Sequence, residues 1–282
     1  MVGVLGVSAS AILVRFSQAP SGVTAAYRLG WTVLLLLPVV LLRCRAELRR
    51  VTARDLVLCG ASGVLLALHF LTWFESLKRT SVASSTVLVS TEVIFTALGF
   101  ALFLHGKIPR LGVWAILLAF GGSALLALSG GGGAGELSGN LLALAAASAA
   151  AVYTLIGRVQ RGHLSTTVYT FLTYLACFLT LLLGTAAAGT PLTGYGGREC
   201  LIGLALAVLC TLLGHSLFSW CLKYLSPSYV SAAKLCEPVF SSLAAIPLFG
   251  EVPGPLQLAG GAAVLGAVLL YTWAEREKTP AG

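Results

Sequence analysis

The sequence predicts an all-α membrane protein of ten transmembrane helices, arranged as two inverted five-helix repeats. Three observations carry that prediction. Of 282 residues, 57% are hydrophobic and only 10% are charged, against roughly a quarter charged in an average soluble domain. The apolar residues come in runs of about 20, the length that crosses a hydrocarbon core about 30 Å thick. Finally, Leu77-Lys78, Ser81, Glu92 and Phe95 recur as Leu222-Lys223, Ser226, Glu237 and Phe240, all displaced by 145 positions.

Taken in order, the expected helices cover residues 1–17, 21–42, 56–77, 81–104, 110–129, 139–159, 165–188, 199–222, 226–249 and 254–274. The first starts without a basic segment and lacks a small-residue cleavage site, so it reads as a span and not as a secretory signal. The Gly130 to Gly133 tract lies close to the junction of the two expected halves, 1–136 and 137–282. No strand precedes it and no Lys-Ser or Lys-Thr follows it, so it reads as a linker and not as a phosphate loop. Small residues such as those of Leu141 to Ala151 and Gly260 to Gly266 predict close helix approach in lipid.

The repeat continues after one deletion, aligning Ile108-Pro109 with Val252-Pro253 and Gly122 with Gly266. It therefore relates helices three to five to helices eight to ten. A repeat with an odd number of spans enters the membrane from the opposite side the second time, which makes the copies inverted. That architecture is typical of secondary transporters.

The net charge of +8 is not gathered into a nucleic-acid-binding patch, and no nucleic acid is expected as a partner. With a cytoplasmic N-terminus, twelve basic residues lie inside: Arg43, Arg45, Arg49, Arg50, Arg54, Lys107, Arg110, Arg158, Arg161, Lys223, Arg276 and Lys278. Arg15, Lys78, Arg79 and Arg198 lie outside. This bias sets orientation and predicts a multi-pass protein of the cell's inner (cytoplasmic) membrane with both termini cytoplasmic. The seven cysteines show no metal-ligand spacing and read as small apolar filler. No cofactor is expected.

Four charges remain inside the spans: Arg28, Glu92, Lys234 and Glu237. A charged residue at a helix centre costs about 2.5 to 3.5 kcal/mol, so four facing lipid unpaired would cost roughly 10 to 14 kcal/mol. They are expected to face the interior as a neutral network, with Lys234 and Glu237 paired at i, i+3. That network either locks the halves together or lines the solute path. Helix three adds one polar and aromatic stripe of Ser62, His69, Trp73, Ser76 and Thr80, in register with a 3.6-residue period. His69 is a solute ligand or a packing hydrogen-bonder, and Trp73 a cavity wall or an interfacial anchor. Thr211, His215 and Ser219 on helix eight, Ser231 and Ser241 on helix nine, and Tyr153 and Gln160 on helix six are further candidates.

Leu222-Lys223-Tyr224, then Glu237-Pro238-Val239-Phe240, then Gly250-Glu251 resemble the pattern of the drug/metabolite transporter superfamily, specifically its ten-helix EamA-type members. The first half is similar but departs from it: Glu92-Val93 lacks the proline and Gly106-Lys107 stands in place of Gly-Glu. Ser10 to Arg15, Ala26-Tyr27-Arg28 and Leu68 to Trp73 also look like metabolite exporters of that family. The resemblance implies two EamA-like halves around a central cavity, with no ATPase. It implies export or facilitated exchange of amino acids or similar small metabolites, with proton coupling open and a monomer or homodimer as the assembly. The expected partners are a small-molecule solute and membrane lipids.

A lipid or polyprenyl-phosphate flippase is the alternative on the same scaffold, with Arg28 and Lys234 holding an anionic headgroup. A structural or receptor role is a further rival. So is an intramembrane enzyme, but no His-Glu-x-x-His, Gly-x-Ser-x-Gly or Asp-rich diphosphate motif is present, so the chain is not expected to be an enzyme.

Overall fold

The structure, a computed structural model, describes residues 2–103, 108–129, 134–225, 227, 230, 234 and 236–276. The Gly130 to Gly133 tract, Gly106, Lys107, Ser226, Ser231 and Lys278 lie outside the described residues. Among the described residues the regular elements are all helices: α1 (Val2–Phe16), α2 (Ser21–Arg43), α3 (Arg45–Leu48), α4 (Ala53–Arg79), α5 (Val82–Val89), α6 (Glu92–Phe103) and α7 (Arg110–Ser129). They continue with α8 (Ala134–Gln160), α9 (Thr166–Ala187), α10 (Gly196–Ala205), a π-helix (Leu206–His215), α11 (Ser216–Cys221), α12 (Cys236–Phe249) and α13 (Pro255–Arg276). Seven of the resulting helical stretches are long and apolar enough to cross a membrane, and three shorter apolar helices accompany them.

Local chemistry places the helix starts. Thr52 and Asp55 form a capping box at α4, and the hydroxyls of Ser81 and Ser165 accept the free backbone N–H groups at α5 and α9. These caps satisfy donors that have no partner within the helix. Two expected helices are less regular than the apolar pattern implies. The run 81–104 breaks at Ser90-Thr91, whose hydroxyls donate to the carbonyls of Thr86 (2.9 Å) and Leu88 (2.7 Å). Such side-chain bonds compete with the helix ladder and bend it. The run 199–222 widens into the π-helix at its centre, a feature common at functional sites.

Polarity is arranged inside out. Leu42, Val57, Trp114, Leu183 and Leu201 are exposed, while Arg28, Ser62, Thr96 and Thr211 are completely buried. An apolar surface suits lipid, where burying greasy side chains gains little, and many of the polar groups the helices carry turn inward.

Helices of the N-terminal part pack mainly on helices of the C-terminal part: α1 on the π-helix, α2 on α9, α4 on α8 and α9, and α7 on α13. Glycines make the closest crossings possible. A Cβ on Gly63 would lie 2.6 Å from the Thr173 carbonyl oxygen and 2.7 Å from the Cys177 nitrogen, across the α4–α9 crossing. At the α7–α13 crossing a Cβ on Gly122 or on Gly260 would stand 2.9 Å from the other's carbonyl oxygen. The obstacles are backbone atoms, which a rotamer change cannot move aside.

Gly63→Ala is therefore expected to destabilise the protein by about 1–3 kcal/mol. Gly60→Ala, one turn away with nothing within 4 Å of its Cβ position, is expected to raise stability by about 0.5–1 kcal/mol, the helix-propensity gain of Ala over Gly. Thermal unfolding of the two variants in detergent checks this; equal midpoints would show that the crossing is not as tight as described.

Candidate functional site

The break at Ser90-Thr91 makes Glu92 the first residue of α6, and Glu237 lies in the first turn of α12. A carboxylate there faces the positive end of the helix dipole. Pro238 is compatible with the same place, because a proline in the first helical turn gives up no ladder hydrogen bond.

Around these two carboxylates the helices leave a cavity of about 30 Å³, room for about two waters. Its wall is formed by His69, Trp73, Glu92, His215, Lys234 and Glu237 together with Val7, Ser10, Val89 and Ser90. Six of the site residues expected from sequence thus meet around one space, and they come from separate segments of both halves. Larger grooves of about 370 and 490 Å³ lie elsewhere and are apolar, lined by residues such as Trp31 and Phe178 or Leu243 and Leu258.

The expected pairing of Lys234 with Glu237 is corrected by the geometry. Lys234 Nζ donates to Glu92 Oε1 at 3.0 Å and to Oε2 at 2.9 Å. Thr154 Oγ1 donates to Glu92 Oε1 at 2.9 Å. Lys234 occupies a 3₁₀ turn ahead of α12, so it does not share a regular α-helical face with Glu237. Glu237 is buried, and no hydrogen bond or ion pair among the described residues engages its carboxylate.

The remaining candidates stand around this centre. His69 Nδ1 lies 3.0 Å from the Ala146 carbonyl oxygen; a carbonyl only accepts, so Nδ1 carries the proton. The His69 ring stacks on Trp73 at 5.8 Å and faces His215 at 6.4 Å. Trp73 is buried, which removes the interfacial-anchor reading, and its Nε1 has no hydrogen-bond partner.

Arg28 is not in the wall but directly behind it. Its Nε donates to Thr211 Oγ1 at 2.7 Å, its Nη1 to Ser10 Oγ at 3.1 Å, and its guanidinium covers the Phe70 ring at 4.2 Å. Its Nη2 has no partner. Tyr153 also stands outside the wall, sharing a hydrogen bond with Ser219 at 3.2 Å, with its ring 6.5 Å from His215. The rest of the α4 stripe serves packing: Ser62 bonds Tyr169, Ser76 bonds Ser85 and Thr80 bonds Asn140. Gln160 donates to Asp55 at 3.2 Å.

Polar clusters close both ends of the bundle. At one end Arg15 pairs with Glu251 and donates to the Leu77 carbonyl at 2.7 Å, while Glu251 Oε2 accepts from the Val82 N–H at 2.7 Å. Lys78 reaches the Ala19 carbonyl, and Glu199 accepts from Ser17. At the other end Asp55 pairs with His163 at 2.7 Å, Glu47 accepts from the Ser165 N–H, and Arg158 donates to the Leu222 carbonyl. Burial between the spans pulls the Arg161 guanidinium below its usual range, with its Nε bonded to the Ser219 carbonyl.

Sequence reasoning missed Ser10 and Ser90 as wall residues, Thr154 as a partner of Glu92, and Asp55 with His163. The serine-threonine run Thr86, Ser90, Thr91 was the available sign of a bent helix. Nothing local marks Thr154 or His163, because their partners are 62 and 108 positions away.

Known proteins are similar to this chain in sequence and in fold. The profile of the EamA-like transporter family matches residues 1–128 and again residues 137–273. A Streptantibioticus cattleyicolor protein named "Probable terminal-alkyne amino-acid exporter" is 28% identical over 233 residues, covering 79% of this chain and 75% of that protein. An uncharacterized Bacillus subtilis transporter, YwfM, is 29% identical over 227 residues, 78% of this chain and 74% of its own length. An uncharacterized Pseudomonas aeruginosa protein is 34% identical over 183 residues, 63% of this chain and 62% of its own length. A crystal structure at 19% identity superposes with a TM-score of 0.68, covering 96% of this chain and 94% of the other, and so shares the fold.

Removing one partner of a buried ion pair costs about 3–5 kcal/mol, whereas replacing both can be neutral. Lys234→Met is expected to destabilise by that amount, and Lys234→Met combined with Glu92→Gln to regain at least half of it. Melting temperatures in detergent across this double-mutant cycle test the pair; strictly additive losses would refute it.

Proposed function

The chain belongs to the EamA-like transporter family, and from that premise we propose that it exports, or facilitates exchange of, amino acids or similar small metabolites by alternating access. The observation that carries the proposal is the polar cavity within the spans. His69, Trp73 and Glu92 from one half and His215, Lys234 and Glu237 from the other converge on it. Charged and hydrogen-bonding groups are kept inside a membrane at such cost only where a solute or a structural partner uses them. The name of the Streptantibioticus cattleyicolor relative supports the amino-acid class.

The architecture proposed is ten spans in two inverted halves, 1–136 and 137–282. The packing pattern supports the inversion. If each span is exchanged with its counterpart five positions along, the pairing of the third with the sixth becomes that of the eighth with the first. The pairings of the second with the seventh and the fifth with the tenth map onto themselves. All four occur. In the proposed orientation the Arg15 cluster closes the outer end and the Asp55–His163 cluster the inner end, with both termini cytoplasmic in the cell's cytoplasmic membrane. Alternating access then consists of releasing one cluster while the other holds. Lipid flipping needs a side entrance, and the two large apolar grooves share no wall residue with the polar cavity, which favours a water-soluble solute.

Proteoliposomes loaded with unlabelled L-amino acids are expected to accumulate radiolabelled L-amino acids by counterflow. His69→Ala is expected to lower that rate at least about tenfold while expressing and eluting normally. A wild-type rate in the variant would remove His69 from the path. An imposed pH gradient across the same vesicles decides proton coupling, since only a coupled carrier changes its initial rate.

A further inference from the structure

The charge pattern around the cavity is unequal in a way that selects among small metabolites. Of the four charges inside the spans, Lys234 and Glu92 hold each other at 2.9 Å. Arg28 and Glu237 are left, both buried and neither in an ion pair among the described residues. Two donors in the same region also lack acceptors: the indole Nε1 of Trp73, which lines the cavity, and Nη2 of Arg28, which stands behind Ser10. An indole N–H can only donate, and a buried donor left unsatisfied carries its full desolvation penalty.

Resting on the amino-acid reading above, we infer that the cavity, which at about 30 Å³ is closed around no more than waters in this structure, opens to take its solute as a zwitterion held by both poles, the ammonium on Glu237 and the carboxylate on Trp73 Nε1. The Arg28 guanidinium stands one side chain behind the wall, bonded to Ser10. Glu237 is the seat for the ammonium because the other carboxylate, Glu92, already accepts from Lys234 and Thr154.

Net charge gives the same result independently. Arg28, Lys234, Glu92 and Glu237 sum to zero. A dipolar solute that is neutral overall preserves that balance, whereas an amine or an acid alone adds one uncompensated charge to a dry interior. Such a charge inside a span costs on the order of a hundredfold in affinity. The site therefore discriminates by pairing both ends of the solute, and the identity of the side chain is a secondary matter.

The test is competition in the counterflow assay. Unlabelled L-amino acids, their methyl esters and their N-acetyl derivatives compete in turn against a radiolabelled L-amino-acid mixture. The free amino acids are expected to inhibit at least about tenfold more strongly than either derivative. Glu237→Gln is expected to erase the difference between free and N-acetylated forms, and Trp73→Phe the difference between free and esterified forms. Equal competition by the derivatives in the wild-type protein, which needs no variant to fold, overturns the two-pole site and leaves amino-acid transport standing. Absence of amino-acid counterflow in folded protein overturns both readings together.

Discussion

Glu92 and Lys234 come from opposite halves of the chain and neutralise each other inside the bundle; much of the architecture follows from the cost of leaving either alone. A carboxylate and an ammonium in a dry interior are tolerable only as a pair with their remaining hydrogen-bonding capacity used. Thr154 supplies part of that capacity. The broken helix adds to it, because starting α6 at Glu92 places the negative charge at the positive end of the helix dipole. The partnership also ties α6 to the segment before α12, so the cavity cannot form from one half.

Helix association elsewhere uses the means available in lipid, where apolar contact between helices is hardly better than contact with acyl chains. Backbones approach closely at Gly63, Gly122 and Gly260, and hydroxyls and amides link helices across the bundle, as at Ser62–Tyr169 and Thr80–Asn140. The charged contacts sit at the centre and at the two ends of the bundle.

Residue pattern alone revealed the apolar helices well, because a long apolar run and a change to Pro, Arg or Gly leave few alternatives. Arg110–Ser129 matches its expected limits, and Thr166–Ala187 differs by one residue at each end. The meeting of His69, Trp73, Glu92, His215, Lys234 and Glu237 was also legible, since a charge or a polar stripe in a span has only the interior to face. Partner choice was not. Lys234 and Glu237 are three apart in sequence, yet the lysine finds a carboxylate 142 positions earlier. The π-helix at Leu206–His215 was hidden for a similar reason: hydropathy reports how greasy a run is, not which hydrogen-bond ladder it adopts. The second match of the family profile, to residues 137–273, covers the repeat mates that self-comparison detects.

The pairing across halves also sets a schedule for biogenesis. Glu92 leaves the ribosome 142 residues ahead of Lys234, which at 5 to 20 residues per second is roughly 7 to 30 s. During that interval the nascent first half carries an acidic group suited to a partner not yet made. The translocon, or a protonated carboxyl, has to shelter it until the later segment arrives.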